Sequence, residues 1–81
     1  MWWIFEKRED THERVVYRYS RESGELDGLI EKDRVTGKVN MIRPCSSDNE
    51  LVWCQYKAIS EFVSCVMEEG FPQTRKVVIG W

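Results

Sequence analysis

Apolar and polar residues alternate along several short stretches of the chain, most clearly in residues 14–20, RVVYRYS. There Val15, Tyr17 and Tyr19 fall on one side of an extended backbone, and the two arginines fall on the other. This period of two predicts a β-strand. Four further stretches with strand-forming residues, bounded by turn-forming residues, predict strands at residues 2–7, 26–32, 38–43 and 75–80.

Residues 46–72 show a helical period instead, and both ends of the predicted helix are marked. Ser47 and Glu50 have the spacing of a capping box, in which side chains bind the first free backbone N–H groups. The Gly-Phe-Pro sequence at 70–72 is typical of a helix end, because glycine adopts the left-handed conformation and proline cannot continue the helix. We therefore expect one long amphipathic helix over residues 48–69.

The predicted order of elements is β-β-β-β-α-β, in a single domain that spans residues 1–81. Short turns make consecutive strands antiparallel neighbours, and the last strand most simply pairs with the first strand or lies beside it. The segment DRVTG at 33–37 predicts one such turn, with glycine at a positive φ. The sequence thus predicts an α+β fold: a mainly antiparallel sheet of about five strands with one long helix packed across one face.

A single helix covers a single face of a sheet, and the strands carry apolar residues on both faces. Ten aromatic residues are many for 81 residues, so some of the rings are candidates for contact with a partner. We hypothesise that the chain is a small protein-interaction module that binds a protein partner or a second copy of itself as a homodimer. The candidate contact residues are Trp2, Trp3, Tyr17, Tyr19, Trp53 and Trp81.

The net charge and the cysteine count limit the expected binding partners and the expected cellular compartment of the protein. The net charge is −2, which gives no general attraction to nucleic acid or to anionic membranes. The longest apolar run, residues 1–5, is far too short to span a membrane, so we expect no membrane partner. Three cysteines, an odd number, suit a reducing compartment better than a disulfide scaffold, and we expect a cytoplasmic protein.

Three cysteines and one histidine have the composition of a structural zinc site, but their spacing excludes it. Cys54 and Cys65 are separated by about 16 Å along one helix, whereas zinc ligands lie within roughly 4 Å of one another. Cys45, near the predicted helix start, could pair with His12 in a thiol-dependent enzyme, although a surface or half-buried thiol is the simpler expectation. With no carboxylate pair in an apolar setting and no phosphate-binding glycine motif, we predict no catalytic residue, metal or cofactor, and no enzymatic activity.

Nucleic-acid binding through the first two strands is an alternative function. Arg14 and Arg18 alternate with Tyr17 and Tyr19, and a sheet bearing arginines and aromatic rings can bind single strands. In a regular strand, however, these arginines and tyrosines lie on opposite faces. Together with the acidic net charge, this makes nucleic acid an unfavoured partner.

Overall fold

The computed structural model describes residues 1–48 and 52–80, and these residues form the elements in the predicted order. The strands are β1 (Trp2–Asp10), β2 (Arg14–Arg21), β3 (Gly28–Asp33), β4 (Val39–Arg43) and β5 (Thr74–Val78). Between β4 and β5 lie a 3₁₀ turn, Ser46–Asp48, and α1 (Val52–Glu61), which continues directly into the π-helical residues Phe62–Met67. Residues 52–67 together are called the helix.

The five strands form one antiparallel sheet in the order β4-β3-β2-β1-β5. The last strand pairs with the first, as predicted, with Trp2 opposite Val78 and Phe5 opposite Arg75. The helix packs on one face of this sheet, so the predicted α+β fold is confirmed. On the other side, called here the open face, lie residues that include Trp2, Ile4, Glu6, Val16, Arg18, Glu31, Lys76 and Val78.

The core lies between the sheet and the helix. Its fully buried aromatic rings interlock across the two layers: Phe62 of the helix contacts Phe5 at 5.7 Å and Tyr17 at 5.4 Å between ring centroids. Phe5 also stacks on Tyr19 at 5.8 Å. Such ring pairs stabilise a fold beyond the area that they bury. Apolar side chains around them complete the core: Trp3, Val15, Ile30, Cys45, Ala58, Val66 and Val77.

The predicted helix end is confirmed. Gly70 has a φ of +78° and Phe71 a φ of +60°, both in the left-handed region. The N–H of Phe71 donates to the Val66 carbonyl across 2.9 Å, and that of Gly70 donates to the Met67 carbonyl across 3.1 Å. These are the two hydrogen bonds of a Schellman motif. At the other end, the predicted partner of Ser47 in the capping box, Glu50, lies outside the described residues.

The predicted turn between β3 and β4 is also confirmed. Gly37 has a φ of +80°, and its N–H donates to the Asp33 carbonyl across 2.8 Å. The Asp33 carboxylate accepts the N–H groups of Val35 and Thr36 at 2.8 and 3.0 Å. The hydrogen bonds from Thr36 and then Val35 hold the pKa of Asp33 below its usual value.

No helix in residues 1–48 and 52–80 has the length and apolar character needed to cross a membrane.

Candidate functional site: the outer face of the helix

Three of the six candidate contact residues lie in the core. Trp3, Tyr17 and Tyr19 have no exposed surface, so they cannot contact a partner, and their selection as contact residues from the sequence needs correction. The physical reason is that the side of β2 bearing both tyrosines is the side that the helix covers. Trp3 lies on the same side of neighbouring β1, because it shares a face with Phe5, which is paired with Tyr19.

The other three candidates have different positions. Trp2 is half-buried on the open face, where the Lys76 ammonium lies 4.5 Å from the centre of its ring. Trp81 lies outside the described residues. Trp53 lies on the helix, and half of its surface, 51 %, is exposed. Trp53 is therefore the most accessible of the candidates that the structure describes.

Trp53 belongs to a larger exposed surface that the sequence-based selection missed. Among the described residues, seven large hydrophobic side chains are strongly exposed, and four of them lie on the helix: Val52 (61 %), Trp53 (51 %), Tyr56 (69 %) and Val63 (37 %). Val52, Tyr56 and Val63 are spaced by four and seven positions and so share one side of the helix, and Trp53 is three positions before Tyr56 on the same side. With the exposed Ser60 and Ser64 between and beside them, they form a continuous surface, called here the outer stripe: Val52, Trp53, Tyr56, Ser60, Val63 and Ser64.

The helix is thus apolar on two sides. Its inner side buries Cys54, Ala58, Phe62 and Val66 against the sheet. A helix on the surface of a domain usually presents charged and polar residues to solvent. The sequence signal for this second apolar side is the spacing of Val52, Tyr56 and Val63. Their spacing repeats the helical period about a third of a turn around the helix from the inner side.

The outer stripe contains no charged residue. The charged residues of the helix are Lys57 and Glu61, which pair with each other at 3.0 Å beside the stripe. Glu61 also accepts a weak hydrogen bond from the Cys65 thiol, at 3.7 Å. Removing an ion from water is the main cost of burying polar surface. A surface without charged residues avoids that cost when a partner covers it.

The open face of the sheet is different, because ion pairs cross it. Arg18 pairs with Glu6 on the neighbouring strand. Arg14 pairs with Glu9 at 2.7 Å and with Glu31 at 3.4 Å. The hydrogen bond and charge of Glu9 raise the pKa of Arg14 further above its usual value. Apolar side chains on this face are separated by these charged groups, so the face is less suited to binding an apolar partner than the outer stripe.

A concavity with a volume of about 620 Å³ lies where the open face meets the β1–β2 and β3–β4 turns. Its lining includes four carboxylates and one arginine: Glu9, Glu13, Glu31, Asp33 and Arg14. Arg14 pairs with two of the carboxylates, and backbone N–H groups bind that of Asp33. No group of three potential metal ligands was found among the described residues. This concavity therefore shows paired surface charges rather than a set of groups that converge on a ligand.

A buried ion pair connects the sheet to the segment before the helix. The Asp48 carboxylate is fully buried and accepts hydrogen bonds from the Arg21 guanidinium and from the Trp3 indole. Partial burial alone would lower the pKa of Arg21, but the hydrogen bond and charge of Asp48 outweigh it and raise that pKa. Arg21 also donates to the Ser47 carbonyl at 2.9 Å. These contacts fix the position of the 3₁₀ turn, which indicates a structural role.

Cys45 is fully buried, which corrects the expectation of a surface or half-buried thiol. The cause is the hydrogen bond from its backbone N–H to the Tyr19 hydroxyl, 3.1 Å long, which draws it into the core. Burial, and then the charge of Asp48, raise the pKa of the Cys45 thiol, so the reactive thiolate is disfavoured at neutral pH.

The proposed partner of Cys45, His12, lies at the far end of the sheet. His12 is exposed in the turn between β1 and β2, next to Arg14. Cys45 lies beside Tyr19, to whose hydroxyl its backbone N–H donates a hydrogen bond. Tyr19 is five residues further along β2 than Arg14, which corresponds to roughly 17 Å. The structure therefore does not bring this cysteine and this histidine together, and nothing in their geometry supports a thiol-dependent reaction.

The features needed for nucleic-acid binding are also separated. Tyr17 and Tyr19 are buried beneath the helix, so they offer no ring surface for a base to stack on. Arg14 and Arg18 lie on the opposite face and are paired with glutamates. The arrangement that motivated this alternative is therefore not present on the surface.

In comparisons with known proteins, no family model, no curated protein and no solved structure matches the chain.

Proposed function

We propose that this protein is a small non-enzymatic interaction module that binds another protein through the outer stripe of its helix. The observation that carries the proposal is the concentration of exposed apolar surface there: Val52, Trp53, Tyr56 and Val63 lie on one side of one helix. Exposed patches of this kind on small domains are typical of protein-binding surfaces.

The composition of the outer stripe supports the proposal. Tryptophan and tyrosine dominate the binding energy of many interfaces, because large rigid rings bury much area with little loss of side-chain freedom. Val52 and Val63 extend the apolar surface on either side of the two rings. A partner that presents an apolar groove or an amphipathic helix matches such a surface.

A cytoplasmic location forms part of the proposal. All three cysteines are free thiols, and a domain of this size in an oxidising compartment would commonly use disulfides. The buried core thiols Cys45 and Cys54 are compatible with a reducing environment.

Matched valine-to-glutamate substitutions test the proposal. Val52 in the stripe, Val35 in the β3–β4 turn and Val78 on the open face are exposed by 61 %, 77 % and 66 %. Each would be replaced by glutamate, and the tagged proteins used to capture partners, with quantitative mass spectrometry, from a cross-linked lysate of cells that also produce the untagged chain. We expect Val52→Glu to lose proteins that the wild type, Val35→Glu and Val78→Glu all retain.

Two outcomes would contradict the proposal. If all four proteins capture the same set, the outer stripe binds nothing in the lysate. If Val78→Glu alone loses the captured proteins, binding takes place on the open face instead. Circular dichroism would confirm that Val52→Glu is folded, which we expect because an acidic residue is favourable in the first turn of a helix.

A further inference from the structure

We infer that the partner bound by the outer stripe is a second copy of this chain, with the two helices antiparallel. This inference rests on the proposed function and names the occupant of the same surface. It follows from the order of large and small side chains along the stripe, from its lack of charge and from its area.

Both aromatic rings of the outer stripe lie in one half of it, called here the large half. Trp53 and Tyr56, together with Val52, are near the start of the stripe, whereas Ser60, Val63 and Ser64 form the small half near its end. When two copies of the helix are antiparallel and the two-fold axis crosses them at the level of residue 58, the large half of each copy faces the small half of the other. Trp53 then lies opposite Val63, and Tyr56 lies opposite Ser60. Two-fold symmetry requires a surface that is complementary to itself in this way.

The charges on and around the outer stripe permit the same pairing. Two identical surfaces that carry net charge repel each other, but the stripe has no charged residue, and its neighbours Lys57 and Glu61 neutralise each other. Antiparallel helices also place the positive end of one helix dipole near the negative end of the other. The chain as a whole carries −2, a repulsion that is weak at physiological salt.

The area of the outer stripe sets the strength of the dimer. The helix of residues 52–67 is about 24 Å long, and two copies that cover both rings and the valines would bury roughly 800–1,000 Å² in total. Stable complexes bury about 1,200–2,000 Å², so this interface belongs to the weak class. We therefore expect a weak dimer whose population depends on the protein concentration.

Sedimentation equilibrium from about 1 μM to about 1 mM tests the inference. We expect the mass of the wild type to rise from 9.7 kDa towards twice that value. Ser60→Glu places a carboxylate opposite Tyr56 of the other copy and should weaken association at least tenfold. Ser23→Glu makes the same change at an exposed turn position and should leave association unchanged. Val52→Glu is a second variant that should weaken it.

Isotope-filtered NMR on a mixture of labelled and unlabelled protein tests the orientation. Antiparallel helices should give contacts between the Trp53 ring of one copy and the Val63 methyl groups of the other. A parallel pair would instead place Trp53 near Trp53, and that result would overturn the antiparallel arrangement.

A wild-type protein that stays at 9.7 kDa up to 1 mM would overturn the inference. So would a dimer that Ser60→Glu and Val52→Glu leave intact. In either case the lysate experiment still decides the proposed function, because capture that depends on Val52 would show that the outer stripe binds a different protein.

Discussion

The indole N–H of Trp3 donates a hydrogen bond to the Asp48 carboxylate across 3.3 Å, joining β1 to the 3₁₀ turn. Asp48 and Trp3 are both fully buried, although they are 45 positions apart in the sequence. This hydrogen bond orients the Asp48 carboxylate, and Arg21 balances the charge of that carboxylate. The position of the 3₁₀ turn before the helix therefore depends on one buried ion pair.

Replacing Asp48 by asparagine should destabilise the protein markedly. The substitution removes the charge that balances Arg21 inside a partly buried site, and breaking such a pair costs about 3 kcal/mol. Urea unfolding followed by tryptophan fluorescence measures the loss. The control is Asp10→Asn, which makes the same change at an exposed carboxylate paired with Arg34 and Lys7 and should shift the midpoint much less. Equal shifts for both variants would show that Asp48 has no special role.

A methyl group at Gly28 should disrupt the packing beneath the helix. A Cβ atom there would lie 2.3 Å from Cε1 of the Tyr19 ring and 2.8 Å from the backbone nitrogen of Cys45. Gly28→Ala should therefore lower the free energy of unfolding by about 2 kcal/mol, since a packed core accommodates added volume poorly. At Gly80 a Cβ would meet no atom of residues 1–48 and 52–80 within 4 Å beyond its own chain neighbours, so Gly80→Ala serves as the control and should change stability little. A Gly28→Ala protein as stable as the control would contradict this packing.

Stability should fall above pH 10 because of Tyr17 and Tyr19, since burial raises the pKa of both tyrosines. Burial, and then the charge of Asp10, raise the pKa of Tyr17 from 10.0 to about 12. A group whose pKa is raised by folding stabilises the protein fully below its unfolded value, and the effect is lost as pH rises through the folded value. Urea unfolding at intervals from pH 8 to pH 12 should therefore show the loss between pH 10 and pH 12.

The variant Tyr17→Phe isolates this contribution. At pH 8 it should be less stable than the wild type, because the Tyr17 hydroxyl donates to the Pro72 carbonyl. The difference between the two proteins should shrink as the pH approaches 12. A constant difference across that range would mean that Tyr17 does not titrate with unfolding.

The three thiols should differ in their rates of alkylation. Cys45 and Cys54 are buried, whereas Cys65 is half-exposed, so Cys65 should react first in the native protein. Its rate should remain below that of a free thiol, because burial and then the charge of Glu61 raise its pKa. Timed alkylation with peptide mass mapping measures the three rates, and Cys65→Ser should remove the fastest reaction. Rapid modification of Cys45 would instead support the hypothesis of a thiol-dependent enzyme.

The sequence predicts the order of elements and the α+β fold, because turn residues and helix-end residues separate the segments. Alternation locates β2 and places the tyrosines opposite the arginines, and the glycines of the turn and the helix end adopt the positive φ values that their positions imply. The pairing of β5 with β1 is the simplest arrangement for a strand that returns to the sheet after the helix. Alternation cannot show which face a helix will cover, however, and for that reason it selects Tyr17 and Tyr19 as contact residues although they are buried.

The outer stripe is harder to predict, because the usual interpretation of an amphipathic helix assigns one apolar side and treats the rest as solvated. The spacing of Val52, Tyr56 and Val63 signals this second apolar side, but on a helical projection Val52 and Val63 also adjoin the core side and are easily counted with it. The buried position of Asp48 is not predicted either. Its burial depends on Arg21 and Trp3, which are distant in sequence, and local patterns contain no information about such partners.

The position of β1 between β2 and β5 has a consequence for the order of folding. β1 can pair with β2 as soon as residues 2–21 have left the ribosome, but its other edge pairs with Thr74–Val78 and stays open until those residues have been synthesised. Closing a loop of about 70 residues carries a larger entropic cost than closing the neighbouring hairpin. Docking of the last strand should therefore be the late, rate-limiting step, and a nascent chain halted before residue 74 should expose the strand edge that most readily aggregates.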